Sequence, residues 1–180
     1  MRTTILVALV MAGCGGEPEP APAPAPAPEA PAPAPAPPPA PVDDGLSKTT
    51  DISTMSEADQ QAFLMKLGEK VYKSGDGGVA CMTCHGPDGK GTPGAFPPLV
   101  GQKDLMKDCK THAGYVLNGL TGEMVVDGQK YNGVMTPQAD LLNDLQIAAV
   151  LSFERHSWGN DYGWCLPADI AAARAAMPKK

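Results

Sequence analysis

Five consecutive residues, Cys81-Met82-Thr83-Cys84-His85, place two thiols and an imidazole at a spacing that suits one kind of chemistry. Thiols three positions apart lie along one helical turn and can each form a thioether to one of the two vinyl groups of a haem. The residue after the second thiol then comes under the iron as its proximal ligand. C-x-x-C-H is, for that reason, the attachment signature of a c-type haem. A zinc site would need a second ligand pair, and the sequence has no second C-x-x-C and no H-x-x-x-H. A thioredoxin-like dithiol wants a βαβ context, which the Gly/Pro-rich surroundings of Cys81 do not offer.

A haem held by one histidine leaves a sixth position to be filled or kept open. The candidates are Met135, Met124, His112, His156, or nothing. Met135 lies in Tyr131-Asn132-Gly133-Val134-Met135-Thr136-Pro137, on a loop about fifty residues after His85 and shortly before the last main helix. A loop held by Gly133 and Pro137 can reach over the distal face more freely than a helical side chain, so Met135 is the preferred ligand. Met124, at the start of a hairpin, is its rival. His112 and His156 fall in expected helices and are assigned to the surface. The remaining methionines in the folded part are read as packing residues.

The elements that position these groups occupy only part of the 180 residues. Residues 1–14 run from a basic start at Arg2 through an apolar stretch, Ile5 to Met11, to Ala12-Gly13-Cys14. That is a secretory signal whose apolar run is too short to span a bilayer. The small pair before Cys14 resembles the lipobox of bacterial lipoproteins, in which the cysteine is acylated and becomes the mature N-terminus. An ordinary cleaved signal is the alternative. Residues 15–46 form a stalk, with thirteen of the twenty prolines between Pro18 and Pro41. Prolines at that density remove backbone donors and forbid helix, which leaves an extended polyproline-II spacer with a reach of about 80 Å. Anchor and stalk together would let a folded domain meet its partners at a distance from a membrane.

The folded part starts near residue 47 and is one domain by length. Beyond Val42 the chain has 13 basic and 17 acidic residues. No basic run suggests nucleic acid. Apolar residues make up 43% of the chain and aromatics 5%, a modest core that a large apolar cofactor would enlarge. With Cys14 assigned to lipid and Cys81 and Cys84 to haem, Cys109 and Cys165 remain. They form an even remainder in a compartment that permits disulfides and are expected to pair; two free buried thiols are the alternative.

Ser56 followed by Glu57 and Asp59 marks a helix start, and Phe63, Leu67 and Val71 form one apolar stripe as far as Ser74-Gly75. Gly77 to Gly101 is loop-rich around the haem motif. A second helix is expected from Lys110 to Gly119, with Tyr115, Val116 and Leu117 as its apolar residues. Val125 to Tyr131 reads as a hairpin turning at Asp127-Gly128. The last main helix has Asn143 as N-cap, Gln146 completing a capping box, and Leu142 with Ile147 as a hydrophobic staple; it runs to about Ser157. Pro167 opens a short Ala-rich helix to Met177.

From Gly68 to Asn160 the chain resembles class I (mitochondrial-type) cytochromes c. The likeness is carried by Gly68-x-x-x-Tyr72, Cys81-x-x-Cys84-His85-Gly86, Phe96-Pro97-Pro98-Leu99-Val100-Gly101, Val116 to Leu120, Tyr131 to Met135, and Ile147 to Phe153 continuing through Ser157-Trp158-Gly159-Asn160. It implies a mostly α class I fold, a few helices wrapped around one covalently attached haem, with residues 47–165 as the cytochrome domain and 166–180 as a C-terminal helical extension. The family has Met-Pro where this chain has Met135-Thr136-Pro137. The resemblance further implies that the first and last helices cross, with Gly68 and Tyr72 meeting Val150 and Phe153. It sets the Pro97 carbonyl against the proximal histidine's Nδ1–H, packs Leu99 on the haem, and makes Asn132 the polar residue for the methionine sulfur.

The expected function is that of a lipid-anchored electron carrier of the periplasm or cell surface, monomeric and without enzyme activity. Its partners would be membrane and periplasmic redox proteins that give and take single electrons. A haem-based sensor, with Met135 displaced by a small gas, and a non-catalytic subunit of a periplasmic oxidoreductase are the other readings.

Overall fold

The computed structural model describes residues 46–178. The signal peptide, the lipidation site Cys14 and nearly all of the stalk lie outside the described residues. Among the described residues, five helices and one hairpin follow in chain order: α1 (Glu57–Ser74), α2 (Met82–His85), α3 (Cys109–Asn118), β1 (Met124–Val126), β2 (Gln129–Tyr131), α4 (Asp144–His156) and α5 (Pro167–Ala175). The fold is mostly helical with one two-stranded antiparallel sheet. No helix among the described residues is long and apolar enough to cross a membrane.

Local chemistry explains the boundaries. The Ser56 hydroxyl accepts a hydrogen bond from the Asp59 amide at the start of α1, and Gly75 closes that helix in a left-handed conformation. Asn143 and Gln146 cap each other's backbone amides at the start of α4, while Leu142 and Ile147 are both buried beside them. Asp127 and Gly128 both have positive φ, which matches the twist of a two-residue hairpin turn and pairs Val126 with Gln129. Gln102 fastens this turn to the body of the protein by donating to the Asp127 carboxylate at 2.8 Å.

The core is centred on α1 and α4. Leu64, Leu67, Val71 and Tyr72 of α1 and Ile147, Ala148, Val150 and Leu151 of α4 are all buried. Phe63 sits at the edge of this face rather than on it, because the buried stripe is centred on Leu64, Leu67, Gly68 and Val71. The two helices touch at Gly68, where a Cβ would lie 2.1 Å from the Ala149 carbonyl oxygen and 2.7 Å from the Phe153 Cβ. Tyr72, Phe153 and Trp158 then cluster with ring centroids 5.2 to 5.7 Å apart.

The C-terminal segment shares this core. Helix α5 packs on α3 and α4, and its Ile170 and Ala173 are buried with the other core residues. Ser152 of α4 exchanges hydrogen bonds with both the amide and the carbonyl of Cys165. Arg174 reaches back to the Asp144 carboxylate at 2.8 Å and to the carbonyls of Ala139 and Leu142. Cys109, the first residue of α3, stands with its Cα 5.5 Å from that of Cys165, and the two sulfurs lie in bonding position.

Candidate functional site

Helix α2 is a single turn, short because its work is to hold the spacing of Cys81, Cys84 and His85 rather than to bury a face. The turn is fixed twice at its C-terminal end. Tyr72 of α1 donates its hydroxyl to the Gly86 carbonyl at 2.6 Å, and the Gly91 amide returns to the His85 carbonyl at 2.8 Å. The chain then doubles back, so that the Leu99 amide bonds the Gly89 carbonyl at 2.7 Å. This return requires glycine at position 91: its φ is +68°, and a Cβ there would meet the Phe96 and Pro97 carbonyl oxygens at 2.4 and 2.5 Å.

The return brings the Pro97 carbonyl to 2.9 Å from His85 Nδ1. A carbonyl can only accept, so Nδ1 carries the proton and Nε2 is the nitrogen left for a metal. Leu99 is buried beside it. Asn160, past the end of α4, holds the Leu99 segment in place by donating to the Leu99 carbonyl and accepting from the Gly101 amide.

Cys81, Cys84, His85, Pro97, Leu99, Met124 and Met135 line one cavity. Its walls are otherwise mainly apolar, with Phe96, Leu105, Val116, Leu120, Leu142 and Val150 among them. Both thiols are free. Burial, and after it the nearby Glu154 carboxylate, push the Cys81 thiol well above its usual range. A redox dithiol needs the opposite shift. Tyr72, buried near Glu154, Cys81 and Asp88, is also pushed upward, chiefly by burial.

The two methionines enter the cavity differently. Met135 is held by paired backbone hydrogen bonds with Leu120, at 2.9 and 3.0 Å, and packs against the main core. Met124 belongs to the first position of β1, opposite Tyr131. Asn132, expected to reach the methionine sulfur, is exposed and does not line the cavity, whereas its neighbours Tyr131 and Gly133 do.

The histidines assigned to the surface are also corrected. His112 is 4% exposed and lines the cavity. His156 is partly buried, with Nδ1 on the Ser152 carbonyl and its ring stacked on Trp164 at 3.8 Å between centroids. Glu154 was the site residue the motifs did not reveal, and the structural roles of Asn160 and His112 were not read from them either. Spacing was the available signal for two of them: Glu154 stands four residues after Val150, and His112 four before Val116, each on a core-facing row.

The donor set fits a covalently bound haem. Two free thiols on one turn, an imidazole with a committed Nδ1, thioether side chains and an apolar enclosure meet in one cavity. The comparisons agree. The cytochrome c family model matches residues 65–158, more than half of the chain. One cytochrome c-552 of Thermus thermophilus is 41% identical over 106 residues, covering 55% of this chain and 70% of that protein. A second cytochrome c-552 of Thermus thermophilus is 40% identical over 97 residues, or 52% and 69%. Cytochrome c4 of Azotobacter vinelandii is 38% identical over 113 residues, 58% of this chain and 48% of its own length. A family match of this extent, laid over this cavity, makes the chain a member of the cytochrome c family, with the class I fold, a covalently bound c-type haem and the work of an electron carrier.

Proposed function

We propose that this chain is a membrane-tethered, extracytoplasmic carrier of single electrons, with haem joined to Cys81 and Cys84 and iron held by His85 and Met135. The observation that carries the reading is the meeting of these four side chains in one mainly apolar cavity, with the Pro97 carbonyl on His85. The bound haem supplies a one-electron couple. His85, oriented by Pro97, is kept basic and in one tautomer. Met135 is favoured over Met124 because its amide and carbonyl are both bonded to Leu120 and its side chain packs against the core, as that of Met124 does not. Ligation by His and Met raises the potential relative to other ligand sets and leaves no coordination position for a substrate, in keeping with a carrier rather than an enzyme.

Cys14 is the proposed lipid attachment point, and the Ala/Pro-rich segment the spacer between membrane and domain. Partners of this class, membrane and periplasmic redox proteins, dock transiently through small surfaces, and a tether raises their encounter rate through effective concentration. The decisive test is haem staining after denaturing electrophoresis. Cys81→Ser with Cys84→Ser should give no stained band, and a stained double mutant would remove the reading. Carbon monoxide should leave the reduced spectrum unchanged; a shifted spectrum would favour a gas sensor.

A further inference from the structure

One polar pair in the cavity wall lies outside the proposed attachment and ligand set. His112 of α3 and Glu154 of α4 meet with Nε2 and Oε2 3.1 Å apart, and their side chains are 5% and 4% exposed. Both line the same cavity as Cys81 and His85. His112 Nδ1 is the one buried side-chain nitrogen or oxygen among the described residues with no hydrogen-bond partner. Stability does not account for such a pair, since apolar side chains of similar volume would serve a buried position at least as well.

The charge count is informative. With Nε2–H donated to an ionised Glu154, the pair has a net charge of −1 and an open lone pair on Nδ1. One added proton brings it to zero. The surrounding ionisable groups do not do this for it. Tyr72 of α1 and Cys81, just before α2, face Glu154, and thioether formation removes the Cys81 proton, leaving His112 as the donor. His85 and Tyr115 share the cavity wall. Arg155, next along α4, donates instead to the carbonyls of Met106, Tyr162 and Gly163. Asp108 caps α3, Asp169 caps α5, and Arg174 pairs with Asp144.

We propose that the His112–Glu154 pair is a proton-binding site coupled to the haem, so that the protein takes up a proton as it takes up an electron. One electron from a donor protein and one proton from solvent convert the oxidised protein to the reduced protein with a neutral pair. Oxidation returns both. The only bond made or broken at the pair is N–H or O–H. An added electron makes the cavity more negative, and in a weakly screened interior that favours the neutral pair over the anionic one.

The test is potentiometry of the haem-loaded protein between pH 5 and pH 9, with protons counted by an indicator dye during reduction in weak buffer. The potential should fall as pH rises, approaching a tenfold change in the oxidised-to-reduced ratio per pH unit, which is about 59 mV for one electron. Reduction should consume a large fraction of one proton per electron. Glu154→Gln, which keeps an acceptor for His112 without the charge, and His112→Asn should each abolish most of the slope and the uptake. A flat wild-type profile, or a wild-type slope in both variants, overturns the proposal. If one variant fails to take up haem, the other decides, and the wild-type proton count stands without either. The proposal rests on the electron-carrier reading, but the two fail differently. A reversible one-electron couple with a flat profile removes only the proton site, whereas absence of a reversible couple removes the carrier.

Discussion

His85 and the Pro97 carbonyl are joined by a 2.9 Å hydrogen bond across a loop whose closure depends on Gly91. The bond sets which nitrogen can face a metal, and it is made by backbone that no side-chain substitution at Pro97 deletes. Gly91→Ala would press a methyl against the Phe96 and Pro97 carbonyls and move the acceptor away from His85. A less electron-rich histidine stabilises ferric iron less. The reduction potential of Gly91→Ala should therefore rise, as measured by redox titration at fixed pH; an unchanged or lowered potential would show that Pro97 does not tune the ligand.

Gly68→Ala should be the most damaging small substitution on α1. Alanine gains about 1 kcal/mol over glycine in a free helix, but here its methyl would fall 2.1 Å from the Ala149 carbonyl oxygen. Overpacking on this scale costs about 3 kcal/mol. The denaturation midpoint of the loaded protein should fall with little change in slope. A neutral result would mean that α1 and α4 can part without loss.

Met135→Ala should keep covalent haem but lose the weak long-wavelength sulfur-to-iron band of the ferric protein. Met124→Ala should retain that band. The reverse result would transfer the ligand role to the hairpin.

Mass spectrometry of a non-reduced digest should yield a peptide linking Cys109 and Cys165, 56 residues apart in sequence. In the chain-entropy model a loop of that length contributes about 4 kcal/mol, so Cys165→Ser should lower stability by up to that amount. Two alkylatable thiols in protein made in an oxidising compartment would contradict the pairing.

Much of the scaffold was legible because its signals are local. Ser56, Asn143 with Gln146, Asp127-Gly128 and Pro167 each satisfy or release backbone groups within a few residues, and the corresponding caps and turns lie where those residues put them. The C-x-x-C-H turn is legible for the same reason. What was not legible depends on partners far along the chain. The row that His112 shares with Val116 marks it as core-facing, but nothing local announces its partner Glu154, 42 residues later. Asn132 fails the other way, since nothing in its own segment says that Tyr131 and Gly133 take the cavity side. Asn160 ties the end of α4 to Leu99, a contact 61 residues apart that no local pattern announces.

The meeting of Gly68 with Ala149 also bears on how the protein is made. Its two sides lie near opposite ends of the family region, 81 positions apart. Until α4 has emerged, α1 has nothing on which to bury Leu64, Leu67 and Val71, and loop closure must precede any gain from that contact. A chain leaving a ribosome or a translocation channel would thus keep α1 undocked until α4 was out. That would leave Cys81 and Cys84 accessible until the two helices dock, and docking would then close the cavity behind whatever had joined them.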